Sequence, residues 1–154
     1  MPQLATRFGV HTDAAHVVQH AQLRTGLLLI AHAPLGEAFV KVAKHVFGTI
    51  DSPLRVLDVH ADTSSDEAVR FAQLLVAGMN CAEVLILVDI HGGPTPCVIA
   101  RRVCEALSDR AQLVGGLNAA MLLTALESVH LDAHSLAQIV VESGRGAVLS
   151  GLPA

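Results

Sequence analysis

The chain has 154 residues, of which 52% are hydrophobic, and its formal net charge is −4. This length suits one domain with a buried core, and the apolar share excludes a chain that is disordered throughout. Lysine and arginine are nowhere clustered, so neither nucleic acid nor anionic lipid is an expected partner.

The three cysteines, Cys81, Cys97 and Cys104, form no CxxC pair and are expected to be small core residues. An odd, unpatterned set of cysteines favours a reducing compartment. The amino terminus lacks the apolar region of a signal peptide, and no apolar run approaches the roughly 18 residues that span a bilayer. The sequence therefore predicts a cytoplasmic protein without direct membrane insertion.

The first 25 residues differ from the rest because they are polar, rich in histidine and without strand character. We interpret residues 1–25 as an N-terminal extension that contains a short helix from Thr12 to about Gln22. Residues 26–154 are interpreted as the domain proper.

From Gly26 onward, short apolar runs alternate with helical patterns. Strands are predicted at Leu27–Ile30, Leu54–Asp58, Val84–Val88 and Gln112–Val114. Helices are predicted at Leu35–Phe47, from Ser64 to Met79, from Thr95 to Leu107, from Asn118 to Leu126 and at about Asp132–Glu142. The core-facing residues of the first of these helices are expected to be Leu35, Phe39, Val42 and Val46.

This alternation predicts an α/β fold with a doubly wound, mostly parallel sheet of four strands. After the last helix, Gly144-Arg145-Gly146 leads into Ala147-Val148-Leu149. We expect the latter segment to form a short C-terminal antiparallel edge strand, paired with its own chain or exchanged with a second copy in a homodimer.

Two of the predicted strands end at residues that can carry chemistry. His32 follows the first strand and Asp89 follows the third, and each precedes a turn rich in glycine and proline that opens a helix. Because open α/β sheets hold their sites at the carboxyl edge, the two side chains are expected to meet there. A carboxylate that keeps a proton on Nδ1 leaves Nε2 free to carry a phosphoryl group. His32 and Asp89 are therefore the candidate catalytic residues.

A phosphoryl group also needs hydrogen-bond donors. Gly92, Gly93 and Thr95 are the candidate phosphoryl-binding residues, since helix N-termini after this turn and after His32 offer N–H groups. Thr95 is also expected to cap its helix. The turn is neither a dinucleotide fingerprint nor a Walker A loop. His91, two residues beyond Asp89, is a further hypothesis for tuning His32 or for docking.

Two histidine pairs have the i,i+4 spacing that can hold a metal on a helix. They are His16 with His20 and His130 with His134. Neither pair has a third ligand nearby in the sequence, so no metal and no cofactor is expected.

Four segments together resemble one family. LLIAHAPLG at residues 28–36 and VDIHGGPTPC at residues 88–97 resemble the IIA component of the mannose-type phosphotransferase system (PTS). GGLNAAML at 115–122 and ESGRG at 142–146 resemble two further motifs of that family, in the same order.

The resemblance implies a doubly wound parallel sheet whose last strand is exchanged across a dimer. It also implies a phosphotransferase that works through phosphohistidine in carbohydrate uptake. His32 would accept a phosphoryl group from a phosphorylated HPr-like carrier protein and pass it to a IIB-like acceptor protein. Asp89 would orient His32, and Thr95 would lie in the phosphoryl-binding turn.

Two departures from the family pattern keep alternatives open. Ala33 stands where sugar-transporting members commonly have glycine, and Pro94 precedes Thr95-Pro96 where the family turn has no such residue. One alternative is a regulatory PTS phosphoacceptor that controls partner proteins without sugar transport. The other is an inactive or metal-binding scaffold.

Overall fold

A computed structural model describes residues 24–151. Its four strands are β1 (Thr25–His32), β2 (Leu54–Val59), β3 (Glu83–Val88) and β4 (Ala111–Gly115). Its five α-helices are α1 (Leu35–Phe47), α2 (Ser65–Ala77), α3 (Pro96–Leu107), α4 (Ala119–Glu127) and α5 (Ala133–Gly146). A short 3₁₀ turn, Ser108–Arg110, precedes β4. The helix predicted near Thr12 lies outside the described residues.

The sheet is parallel throughout, with the strand order β2-β1-β3-β4. The chain passes from β1 to β2 on one side and then to β3 on the other, so the order reverses between β1 and β3. Such a reversal opens a crevice at the carboxyl ends of the two strands, where α/β proteins bind their ligands. The predicted α/β fold with a parallel four-stranded sheet is confirmed.

The core has two layers because successive strand residues point to opposite faces of the sheet. Leu28 and Ile30 of β1 pack with α2 and α3, whereas Leu27 and Leu29 pack with α1, α4 and α5. All four of these side chains are completely buried. Each contributes roughly 1.5–3 kcal/mol to folding, which makes β1 a rigid support for the residue that ends it.

The helix α1 has the predicted bounds but a different inner face. Its buried residues are Gly36 and Ala43, whereas Leu35, Val42 and Val46 are 40%, 42% and 54% exposed. The helix approaches β2 so closely that a methyl group on Gly36 would lie 2.6 Å from Val56 Cγ1. Phe39 is partly buried and packs against the core, as predicted. The other three predicted core residues turn outward, and the small residues Gly36 and Ala43 face the sheet instead.

The carboxyl end of the chain also differs from the prediction. The helix α5 continues to Gly146, so Gly144-Arg145-Gly146 is its last turn rather than a segment that follows the helix. Gly144 is held there because Asn118 Nδ2 donates to its carbonyl oxygen at 3.1 Å. Residues 147–149 form no strand in the described chain, and Val148 and Leu149 are 74% and 79% exposed. Pairing of this segment with a second copy stays a prediction.

Candidate phosphoryl-transfer site

His32 and Asp89 meet at the carboxyl edge of the sheet, as predicted. His32 is the last residue of β1, and Asp89 follows the last residue of β3. Asp89 Oδ2 lies 2.7 Å from His32 Nδ1 and also accepts the backbone N–H of His32 at 3.0 Å. The histidine side chain is 43% exposed and the aspartate side chain only 5%. The ring is therefore open to solvent while its partner lies beneath it.

The charge of Asp89 determines which ring nitrogen of His32 carries the proton. Burial opposes ionisation of this carboxyl group, but hydrogen bonds from the His32 ring, the His32 backbone and the Ile90 backbone outweigh burial and lower the pKa of Asp89. An ionised carboxylate only accepts hydrogen bonds. Nδ1 of His32 must then donate, and the neutral ring carries its lone pair on Nε2.

The turn between β3 and α3 comprises residues 89–95, and we call it the Asp89 turn. Gly92 has a φ of +71°, a conformation that favours glycine, and its N–H donates to Cys97 Sγ at 3.4 Å. Gly93 packs against Ile90. The N–H of Gly92 thus points toward the protein, which leaves Gly93 and the first turn of α3 as the available donors on this side.

Thr95 precedes the first residue of α3, as predicted, but its side chain does not cap the helix. Its φ of +29° and ψ of −71° direct the hydroxyl away from the capping geometry, which needs an extended backbone. Pro96 occupies the first helical position, where the missing N–H costs nothing.

The N-terminus of α1 was also predicted to offer donors to a phosphoryl group, but two of its N–H groups are already bonded within the protein. The Asp58 carboxylate accepts the N–H of Gly36 at 2.7 Å and of Glu37 at 3.1 Å. Asp58 belongs to β2 and thus caps α1 from the neighbouring strand. Its position at the end of a predicted strand, at the same edge as His32, was the signal in the sequence.

His91 packs on the other side of the Asp89 turn from His32. A methyl group on Gly115 would lie 2.5 Å from His91 Cβ, so the histidine rests on the end of β4. Within residues 24–151, His91 makes no hydrogen bond with His32 or Asp89. A cavity of about 450 Å³ beside β4 is lined by His91, Gly116 and Arg145 among others, but not by His32 or Asp89. The His32–Asp89 pair therefore lies outside this cavity.

The metal hypotheses find no support in the described chain. His130 precedes α5 and His134 lies inside it, so the two do not share the helix that i,i+4 coordination needs. His16 and His20 lie outside the described residues. Residues 24–151 contain no group of three or more potential ligands, and none of their helices is long and apolar enough to cross a membrane.

Several solved structures with a similar fold are components of the phosphotransferase system. The mannose/sorbose-specific IIA subunit of the phosphotransferase system from Enterococcus faecalis is 25% identical, with a TM-score of 0.73 over 85% of this chain and 98% of that chain. The phosphotransferase system component EIIA from Streptococcus agalactiae is 21% identical, with a TM-score of 0.74 over 82% and 96%. No curated protein matches the sequence.

A third similar structure is the PTS IIA protein associated with the fucose utilization operon of Streptococcus pneumoniae. It is 21% identical, with a TM-score of 0.70 over 84% of this chain and 94% of that chain. The family model described as PTS system fructose IIA component matches residues 26–142, a span that includes the His32–Asp89 pair and all of the sheet except Thr25, the first residue of β1. The chain therefore belongs to the fructose- and mannose-type IIA family of the phosphotransferase system.

Proposed function

We propose that this protein is a phosphocarrier that accepts a phosphoryl group on His32 from a phosphorylated HPr-like protein. It then passes the group to a IIB-like protein in phosphoenolpyruvate-dependent carbohydrate uptake. The contact of 2.7 Å between His32 Nδ1 and Asp89 Oδ2 carries the proposal, since it presents Nε2 as the nucleophile. Family membership supports the same role.

The proposed transfer is a substitution at phosphorus. The Nε2 lone pair of His32 forms a bond to the phosphorus, and the donor's N–P bond breaks. The donor histidine keeps that electron pair and later takes a proton. Nδ1–H of His32 stays in place, and the Asp89 carboxylate stabilises the positive charge that the ring gains. Phosphoryl transfer depends on such alignment and charge stabilisation more than on further covalent chemistry.

The Asp89 turn supplies the proposed phosphoryl-binding residues. Gly93 and Thr95 would donate to the phosphoryl oxygens, and Gly92 would shape the turn that presents them. The N-terminal dipole of α3 favours an anion at the same place. Asp58 occupies the corresponding end of α1, so we assign binding of the oxygens to the α3 side of His32.

We also propose that the protein is a homodimer and that it lies in the cytoplasm. The exposed Val148 and Leu149 and the free edge of β4 support a homodimer with exchanged C-terminal segments. The free cysteines among residues 24–151 and the carrier proteins expected as partners support a cytoplasmic protein.

The test is phosphorylation with enzyme I, HPr and phosphoenolpyruvate, followed by measurement of acid-labile phosphate on the full chain. We expect the wild type to be labelled, His32→Ala to be unlabelled and His91→Ala to be labelled more slowly. Labelling that persists without His32 would contradict the proposal. Onward transfer to a IIB protein then separates the carrier from a regulatory phosphoacceptor, which would be labelled but would not pass the group on.

A further inference from the structure

We infer that Gly115 and Cys97 are positioning residues for the Asp89 turn. They hold the turn from two sides, so that the Asp89 carboxylate stays on Nδ1 of His32. The inference rests on the proposed function for its kinetic consequence. The geometry that it concerns, however, can be measured without any phosphoryl transfer.

Gly115 supports the turn from β4. It is the last residue of that strand and pairs with Val88, which directly precedes Asp89. A methyl group at Gly115 would lie 2.5 Å from His91 Cβ, 2.8 Å from His91 Cα and 3.0 Å from His91 Nδ1. Because Cα belongs to the backbone, no side-chain rotation relieves this contact. Any larger residue at Gly115 must displace the turn itself.

The backbone of Gly115 gives no other reason for glycine. Within residues 24–151, the glycines with positive φ are Gly48, Gly92, Gly116 and Gly151. Gly115 lies in regular parallel strand geometry that any residue adopts. Close approach of the Asp89 turn is thus what requires a residue without a side chain here.

Cys97 holds the turn from α3. Its side chain is 3% exposed, and its Sγ accepts the N–H of Gly92 at 3.4 Å. Sulfur is a weak acceptor and Gly92 is exposed, so without this contact the N–H would be free to turn toward water. The contact therefore fixes the direction in which the positive-φ residue Gly92 turns the chain.

The two contacts together define the path of the chain from Asp89 to α3. The turn carries the carboxylate that orients His32 and the donors proposed for the phosphoryl group. Displacement of reacting groups by about 1 Å can cost 10²-fold in rate. Gly115 and Cys97 would thus affect phosphoryl transfer although neither touches His32 or the phosphoryl group.

The test compares Gly115→Ala and Cys97→Ala with two matched controls. Gly78→Ala adds a methyl group where the nearest atoms are 3.6 Å away. Cys104→Ala removes a second thiol from the same helix, α3. Cys97→Ser keeps an acceptor near Gly92 and should recover part of what Cys97→Ala loses.

Two measurements are made on each full-length variant. NMR of ¹⁵N-labelled histidine gives the fraction of neutral His32 that carries its proton on Nδ1. Labelling by phosphorylated HPr gives the transfer rate. We expect both Gly115→Ala and Cys97→Ala to lower the Nδ1–H fraction and to slow labelling about tenfold or more, while both controls stay within twofold of the wild type. A purely structural role would lower the melting temperature without changing the tautomer.

The outcomes separate this inference from the proposed function. A wild type that is never labelled but shows the tautomer change in the two variants supports the inference and contradicts the proposed function. Wild-type tautomer and rates in both folded variants would overturn the inference. If Gly115→Ala does not fold, the tautomer fraction and labelling rate of Cys97→Ala and Cys97→Ser alone test the inference.

Discussion

A single oxygen of Asp89, Oδ2, accepts both the ring Nδ1–H and the backbone N–H of His32. Asp89, which follows β3, thus links the imidazole of His32 to the backbone of the same residue. This double contact limits rotation of the ring and fixes its tautomer at the same time. Removal of the carboxylate charge should therefore affect transfer more than it affects folding.

Asp89→Asn tests this relationship. The amide has the shape of the carboxylate but no negative charge, and it can present N–H₂ instead of an acceptor to Nδ1. We expect labelling by phosphorylated HPr to slow roughly 10²- to 10⁴-fold, with the far-ultraviolet circular dichroism unchanged. Asp66→Asn is the control, since Asp66 is an exposed residue paired with Arg102 on the α2–α3 surface. Equal rates for both variants would remove Asp89 from the proposed mechanism.

Asp58 is predicted to stabilise the fold rather than the reaction. Asp58→Ala leaves the N–H groups of Gly36 and Glu37 without their acceptor. Loss of such a cap costs about 0.5–2 kcal/mol, which urea denaturation measures directly. Asp58→Asn should lower the free energy of unfolding less, because the amide oxygen still accepts one of the two N–H groups. A large loss of labelling with intact stability would instead place Asp58 in the reaction.

Gly36 and Gly146 are predicted to respond to alanine in opposite ways. A methyl group on Gly36 would lie 2.6 Å from both Asp58 Oδ1 and Val56 Cγ1, so Gly36→Ala should lower the free energy of unfolding by about 1–3 kcal/mol. A methyl group on Gly146 meets no atom within 4 Å. Gly146→Ala should raise the free energy of unfolding slightly, by up to about 1 kcal/mol. Thermal unfolding of the two variants side by side checks both signs.

The stability of the fold should decrease in acid, in part through Glu83. Glu83 accepts the N–H of Ala133 at the start of α5 and the guanidinium of Arg24. The Ala133 hydrogen bond, with the help of Arg24 and against burial, lowers the pKa of Glu83. A group whose pKa is lower in the folded state stabilises that state at neutral pH, and the effect is lost as the pH falls through the folded pKa.

The same sign applies to Asp89, whose pKa is also lowered. The free energy of unfolding should therefore fall as the pH decreases from about 5 toward 3. Glu83→Gln should make this fall shallower, whereas Glu105→Gln, on the exposed side of α3, should not change it. Urea denaturation between pH 7 and 3.5 gives the free energy of unfolding of each variant. Parallel pH dependences for wild type and Glu83→Gln would contradict the prediction.

Local sequence patterns predicted the strands and helices whose bounds depend on residues close together in the sequence. The apolar run ending at His32 identified β1, and the bounds of α1 agree with the prediction because Gly48 ends it. The meeting of His32 and Asp89 followed from the rule for open parallel sheets. By contrast, the inner face of α1 depends on how closely it approaches β2 at Gly36, and helical periodicity alone does not contain that distance.

The details of the site that were missed depend on contacts between distant segments. Asp58 can cap α1 only because β2 lies beside β1 in the sheet. The Gly92–Cys97 contact depends on the path of the Asp89 turn. Thr95 is a residue type typical of a helix N-cap, but its backbone conformation prevents it from capping α3. The C-terminal strand was predicted from its apolar residues, but residues 147–149 pair with no strand in the described chain, and apolar residues alone do not form a strand without a neighbour.

The contact between Asp89 and Nδ1 has a kinetic consequence for the proposed carrier. Because Asp89 holds Nδ1 of His32, Nε2 is the ring nitrogen left to carry the phosphoryl group. A donor protein and an acceptor protein would compete for that one atom and could not both react with it in a ternary complex. Their exchange would follow a ping-pong scheme, in which excess unphosphorylated donor inhibits onward transfer by occupying the acceptor's place.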